Sequence, residues 1–195
     1  MAKKNRQLKV FLCDLTHDTQ ILVSDTIPIN IGFIGSYAKK LFSDEIDLDL
    51  FKYPDTLFSA LQRKVPDLIG FSNYSWNSRL SERFARYTKQ LNPDVITVMG
   101  GTNFPQEKID QEKYLAVRPE IGFHVYNEGE VSFANLIERI VNARDGGVEV
   151  YGQGVAGACF IDPESRKEGR PDLISGESLP RLRNLDDIPS PYLNG

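Results

Sequence analysis

The feature of this chain that most restricts its fold is an alternation of two periods. Short apolar runs at residues 8–13, 46–51, 68–71, 95–99 and 121–126 are separated by stretches with helical spacing. Apolar runs of that length, bounded by turn residues, predict strands. Residues 31–42, 55–64, 78–91 and 130–142 predict helices, and residues 104–119 leave room for a short one. Over 78–91, Leu80, Phe84, Tyr87 and Leu91 recur on one face, as an amphipathic helix requires. A chain that alternates strand and helix in this way builds a parallel sheet with right-handed crossovers and helices on both faces.

Only the second run, with Asp47 and Asp49 between apolar residues, alternates strictly. That is the pattern of a strand at a sheet edge, whereas the others read as buried on both faces. The expected architecture is α/β: a Rossmann-like or flavodoxin-like, doubly wound, five-stranded parallel sheet of order 2-1-3-4-5. Its topological switch point lies between the first and third strands, where ligands bind at the carboxyl ends.

The segments expected at those carboxyl ends are unusual. After the third strand comes Ser72-Asn73-Tyr74-Ser75-Trp76-Asn77, with the single tryptophan of the chain in a polar turn. After the fourth comes Gly100-Gly101-Thr102-Asn103, and after the fifth Glu128-Gly129-Glu130. The loop over residues 14–30 carries Asp14 and His17 and is far longer than an ordinary βα connection,. Gly32 and Gly35 weaken the first helix intrinsically, which is tolerated where backbone passes close to a neighbour or a ligand,. Acidic residues favour a helix N-terminus through the dipole, so Glu128 and Glu130 also have a purely structural reading.

Bulk properties exclude several classes. With 23 basic against 27 acidic residues, a net charge of −4 and lysines and arginines scattered along the chain, the balance argues against a protein built to wrap nucleic acid,. No apolar run approaches the roughly 20 residues of a membrane helix. Cys13 and Cys159 form neither a metal motif nor a disulfide framework, so a reducing, cytoplasmic setting is the default,. Composition changes near residue 145, which divides the chain into a sheet domain over 1–145 and a glycine- and proline-rich extension and linker over 146–195.

A phosphate-accepting receiver domain needs an aspartate at the end of the third strand, where this chain has Ser72 and Asn73. No Gly-x-Gly-x-x-Gly follows the first strand, and no Walker loop is present,. The loop after Cys13 lacks the Ser/Thr/Gly-rich cradle of a flavin phosphate. His124, inside the fifth strand, reads as a satisfied core or interface histidine, and His17 as a solvated loop residue.

Taken in order, Pro28-Ile29-Asn30-Ile31-Gly32, the strand and turn from Pro66 to Asn77, Val98-Met99-Gly100-Gly101, Glu128-Gly129-Glu130 and Leu185-Asp186-Asp187-Ile188-Pro189-Ser190-Pro191-Tyr192 resemble the N-terminal cobalamin-binding domain of radical S-adenosylmethionine (radical SAM) enzymes. The resemblance implies a corrin on the carboxyl edge of the sheet and a nucleotide tail inserted near the first and third strands. The residues it would bring to the cofactor are Ile31, Gly32, Ser72, Asn73, Tyr74, Trp76, Asn77, Gly100, Gly101, Thr102, Asn103, Glu128, Gly129 and Glu130. Cobalamin-binding domains with Asp-x-His-x-x-Gly place a histidine under cobalt. Aligning Gly32 with that glycine puts Ile29 at the histidine position, leaving His17 as the one distant candidate for a cobalt ligand.

The resemblance further implies a methyltransferase-type or related radical enzyme whose 4Fe-4S cluster and S-adenosylmethionine belong to a domain beyond residue 195. The Cys-x-x-x-Cys-x-x-Cys motif of that cluster is not in this chain. The expectation is therefore a fragment that holds cobalamin and is inactive alone. A non-catalytic interaction or sensory module that keeps the fold without the cofactor is the competing expectation.

Overall fold

The computed structural model describes residues 6–17 and 26–193. Residues 18–25, in the middle of the long loop, lie outside them. Five strands come first, β1 (Leu8–Cys13), β2 (Ile46–Phe51), β3 (Leu68–Ser72), β4 (Ile96–Gly100) and β5 (Phe123–Val125). The helices between and after them are α1 (Ile29–Phe42), α2 (Pro54–Arg63), α3 (Ser78–Leu91), α4 (Lys108–Ala116) and α5 (Gly129–Arg144). The chain then adds β6 (Ala158–Ile161), a short helix α6 (Pro163–Lys167) and β7 (Leu173–Ser175).

The sheet has seven strands in the order β2-β1-β3-β4-β5-β6-β7, which corrects the expected five. β1 to β5 pair in parallel, whereas β6 lies antiparallel on β5 and β7 antiparallel on β6. β2 is an edge, as its alternation predicts, but β5 is interior. The reason lies in β6: all of Ala158, Cys159, Phe160 and Ile161 are buried, and a strand apolar on both faces needs cover on both,. The same sheet thus continues through the composition change at residue 145.

Two apolar clusters lie on opposite faces. On one, α1 and α5 contribute Ile31, Ala38, Phe133, Leu136, Ile137 and Ile140. On the other, α2, α3 and α4 contribute Leu57, Ala60, Leu61, Ala85 and Leu115. α3 packs Leu80, Phe84 and Tyr87 against this cluster, as their spacing predicts, and its most buried line is the adjacent row of small residues. Ser81, Ala85 and Thr88 are buried, while Leu91 is exposed. Small residues let the helix approach the sheet closely enough for the Ser81 hydroxyl to donate to the Ser72 carbonyl at 3.0 Å.

His124 is buried on the α4 side, where its ring stacks on Phe104 with centroids 3.6 Å apart. Neither ring nitrogen makes a hydrogen bond, which corrects the expectation of a satisfied core histidine. Burial pushes its pKa down to about 3, offset only in part by the neighbouring Val125 backbone, because an apolar site disfavours the charged ring.

Candidate functional site

At the carboxyl ends of β1, β3, β4 and β5, between α1 and α5, lies a cavity of about 240 Å³. Its walls follow from the topology. α1 and α5 cover the same face of the sheet, and the helices meet where a Cβ on Gly129 would come within 2.7 Å of Ile34 Cδ1. The inner end is bounded by Leu12, Gly70 and Val98 from the strands, and by Ile34 and Phe133 one turn into the helices. The outer end carries Asn30, Ser72, Tyr74, Asn127, Glu128 and Glu130. Ile31, Phe71, Gly100, Gly101, Val125 and Gly129 complete the lining.

The glycines open this space. A Cβ on Gly70 would come within 2.8 Å of Leu12 Cδ2 and 3.5 Å of the Phe133 ring. At Gly100 a Cβ would meet only ordinary contact, 3.6 Å from the Val125 carbonyl. The lip is apolar and exposed. Trp76 is 65% exposed there; Ile27 and Ile29, before and at the start of α1, are also exposed. Trp76 stacks on Tyr74, with centroids 4.6 Å apart and planes 8° from parallel. The Asn30 side-chain amide donates to the Tyr74 hydroxyl at 3.1 Å, tying α1 to this aromatic pair. His17 Nε2 stands 3.0 Å from the Trp76 carbonyl, so the long loop reaches the turn after β3.

The other half of that turn is closed. The Ser72 hydroxyl donates to Asp14, and the Asn77 amide donates to Asp14 at 3.2 Å and to Ser72 Oγ at 2.9 Å. The Tyr74 N–H donates to Asn77 Oδ1 at 2.9 Å. Alongside, Asn73 Nδ2 donates to the Asn103 carbonyl at 2.9 Å and the Tyr114 hydroxyl at 3.1 Å, and Asn103 Nδ2 donates to Asn73 Oδ1 at 3.2 Å. Gly101, with φ of +131°, packs so tightly here that a Cβ would stand 2.7 Å from the Asn73 carbonyl oxygen. That backbone conformation is open to glycine and strained for other residues.

Of the residues expected at a ligand, Ile31, Ser72, Tyr74, Gly100, Gly101, Glu128, Gly129 and Glu130 line the cavity, and Trp76 stands at its lip. Asn73 and Asn77 are wholly buried with their amides engaged, Asn103 is bonded to Asn73, and Thr102 is exposed outside the cavity. Gly32 faces the C-terminal segment, where a Cβ would meet Pro191 at 3.2 Å. The lining residues that sequence reasoning missed are Leu12, Asn30, Ile34, Gly70, Phe71, Val98, Val125, Asn127 and Phe133. Most sit in strand interiors or a turn into a helix; the signal was periodicity along each element, not the turn composition.

The C-terminal segment lies along this edge. The Tyr126 hydroxyl donates to the Gly176 carbonyl at 2.7 Å, and the Leu182 N–H donates to Glu128 Oε2 at 2.7 Å. Beyond the 3₁₀ turn Leu185–Asp187, Lys40 Nζ donates to the Asp187 carbonyl at 2.7 Å, so this segment docks on the outer side of α1. Among the described residues, no group of three or more His, Cys, Asp or Glu side chains is close enough to hold a metal ion, and no helix is long and apolar enough to cross a membrane.

Comparison with known proteins bears on the family and the fold. The chain is 31% identical over 175 residues to 2-(S-pantetheinyl)-carbapenam-3-carboxylate methyltransferase of Streptantibioticus cattleyicolor, covering 87% of this chain and 23% of that protein. It is 26% identical over 174 residues to the cobalamin-dependent radical SAM methyltransferase TokK of Streptomyces tokunonensis, with the same coverage of 87% and 23%. It is 25% identical over 158 residues to the anaerobic magnesium-protoporphyrin IX monomethyl ester cyclase of Rubrivivax gelatinosus, covering 79% and 25%. The chain therefore spans about a quarter of the length of these relatives. The cobalamin-dependent S-adenosylmethionine radical enzyme OxsB, solved with aqua-cobalamin and S-adenosylmethionine bound, shares the fold with a TM-score of 0.68 at 15% identity, over 96% of this chain and 24% of OxsB. Residues 21–137 match the B12 binding domain, more than half of the chain, and the chain belongs to that family.

Proposed function

We propose that this chain holds cobalamin with its nucleotide tail in the cavity between α1 and α5 and its corrin across the carboxyl edge beside Trp76. The observation that carries the reading is a mismatch of size. Pockets that enclose a whole ligand are roughly 300–1,000 Å³, and this cavity of about 240 Å³ suits a planar fragment of a larger molecule. The remainder of such a ligand would rest outside, where the exposed apolar lip lies. A corrin presents a broad face and amide side arms. The Trp76–Tyr74 pair offers an aromatic platform for the face. Asn127, Glu128 and Glu130 offer donors and acceptors for the arms.

Bound cobalamin supplies a cobalt centre able to carry a methyl group. The chain's own residues position that centre and keep water from the tail. Gly70 and Gly100 leave the tail its space, and Ser72, held by Asp14 and Asn77, sets the shape of the outer end. At the start of α1, Ile29 presents a hydrocarbon side chain where a ligating histidine stands in the Asp-x-His-x-x-Gly pattern. His17 directs Nε2 at the Trp76 carbonyl.

On its likeness to these relatives, we read the whole protein as a cobalamin-dependent radical SAM enzyme of methyltransferase type, working in the cytoplasm. The domain carrying the 4Fe-4S cluster and S-adenosylmethionine would follow the segment docked on α1. Titration with hydroxocobalamin, followed by gel filtration and visible spectroscopy, tests the reading. The corrin absorbance should elute with the protein at about one equivalent. A protein peak without corrin overturns it.

A further inference from the structure

The cavity is polar at one end only. The inner end, formed by Leu12, Ile34, Gly70, Val98 and Phe133, has no side chain that donates or accepts a hydrogen bond. The backbone there offers little more, because Leu12 pairs with Gly70, and Gly70 with Val98, in the parallel ladder. The polar side chains stand further out, and three of them already have partners. Ser72 donates to Asp14, the Tyr74 hydroxyl accepts from Asn30, and Glu128 accepts from Leu182.

Resting on the reading above, we propose that this site selects among cobamides by the base of the nucleotide tail. It takes a ring with at most one polar edge atom, a benzimidazole or a phenol ether, and discriminates against adenine. The two kinds of ring are close in size, so shape does not separate them. Adenine brings an exocyclic amine and ring-nitrogen acceptors, all hydrogen-bonded in water. At the inner end these groups lose water and gain no partner, which is unfavourable for each group so buried. Selection by an apolar wall is moderate, since such a pocket rejects an added polar group by about a hundredfold at most.

The test titrates the purified chain with the hydroxo or aqua forms of cobalamin, p-cresolyl cobamide and adeninyl cobamide. The cresolyl tail has no nitrogen to bind cobalt, so it separates the choice made by the pocket from the work of detaching the tail. Adeninyl cobamide should bind at least about tenfold more weakly than p-cresolyl cobamide. Val98→Thr, which places a hydroxyl at the inner end, should narrow that ratio. Phe133→Tyr is the second variant, since the Phe133 ring tip lies 3.9 Å from where a Gly70 Cβ would stand. Equal binding of the adeninyl and cresolyl forms overturns the selection and leaves cobalamin binding intact. A ratio unmoved in both variants, each folded, also overturns it. Failure of every cobamide to bind removes the proposed function, and the selection with it.

Discussion

The turn after β3 has two sides, and they are built differently. Toward α1 and α5 it borders an apolar cavity with glycines in its walls and an exposed aromatic pair at its lip. Toward α3 and α4 it is closed by the amides of Asn73, Asn77 and Asn103 with Asp14, Ser72 and Tyr114. One side leaves space and the other fills it with hydrogen bonds. A turn held rigidly from behind can hold its front edge open, because the backbone of Ser72 and Tyr74 has no freedom to collapse inward. The glycine pair shows the same division. Gly100 makes room on the open side, and Gly101 provides a positive φ and a close approach on the closed side.

The strongest way to break this comparison is Gly101→Ala. Its Cβ would collide with backbone in a strained conformation, so stability in urea should fall by about 3 kcal/mol. A loss below about 1 kcal/mol would mean that the closed side yields easily.

Next is the acid response of His124, also on the closed side. Its folded pKa of about 3 lies below the ordinary 6.5. The unfolded chain therefore binds a proton that the folded chain refuses, and this contribution to stability is present above pH 6.5 and lost as pH falls toward 3,. Between neutral pH and about pH 5 the loss should reach about 2 kcal/mol. Denaturation midpoints of His124→Leu across that window should be nearly flat. A slope equal to that of the parent chain removes His124 as the cause.

On the open side the expected effects move from stability to binding. Gly100→Ala meets only ordinary contacts, so the fold should hold within about 1 kcal/mol. The added methyl narrows the cavity, and cobalamin affinity should drop about tenfold, or about 1.4 kcal/mol. Unchanged affinity would take the tail out of this cavity. The smallest effect belongs to Trp76→Ala. The ring is largely exposed, so folding should change by less than about 1 kcal/mol, while corrin binding weakens by more than folding does. Parallel urea and cobalamin titrations check this, and equal losses would assign Trp76 to the fold alone.

Much of this was legible in the chain itself. The first five strands, the edge position of β2 and the strand-end segments that surround the cavity follow from short-range patterns. The closure of the β5 edge by β6 and β7 did not, because an antiparallel return depends on a distant partner. The sequence does not separate a ligand-facing role for Asn73, Asn77 and Asn103 from a structural one, because amides in a turn suit either a ligand or one another. The place of Gly32 in a motif points to the cofactor, yet its open side is filled by Pro191, far away in sequence. Val98 and Phe133 look like ordinary core, and only the gap between α1 and α5 makes them walls.

By itself, then, the sequence determined which segments become strands and helices, and which strand ends meet at the switch point. Hydrophobic periodicity acts over a few residues and is written locally. The tertiary structure alone decided which side chains at those ends face the cavity and which close the turn. That choice is a competition for hydrogen bonds and space among Asp14, Ser72, Asn77 and Asn103, and its outcome exists only once the strands and helices are packed.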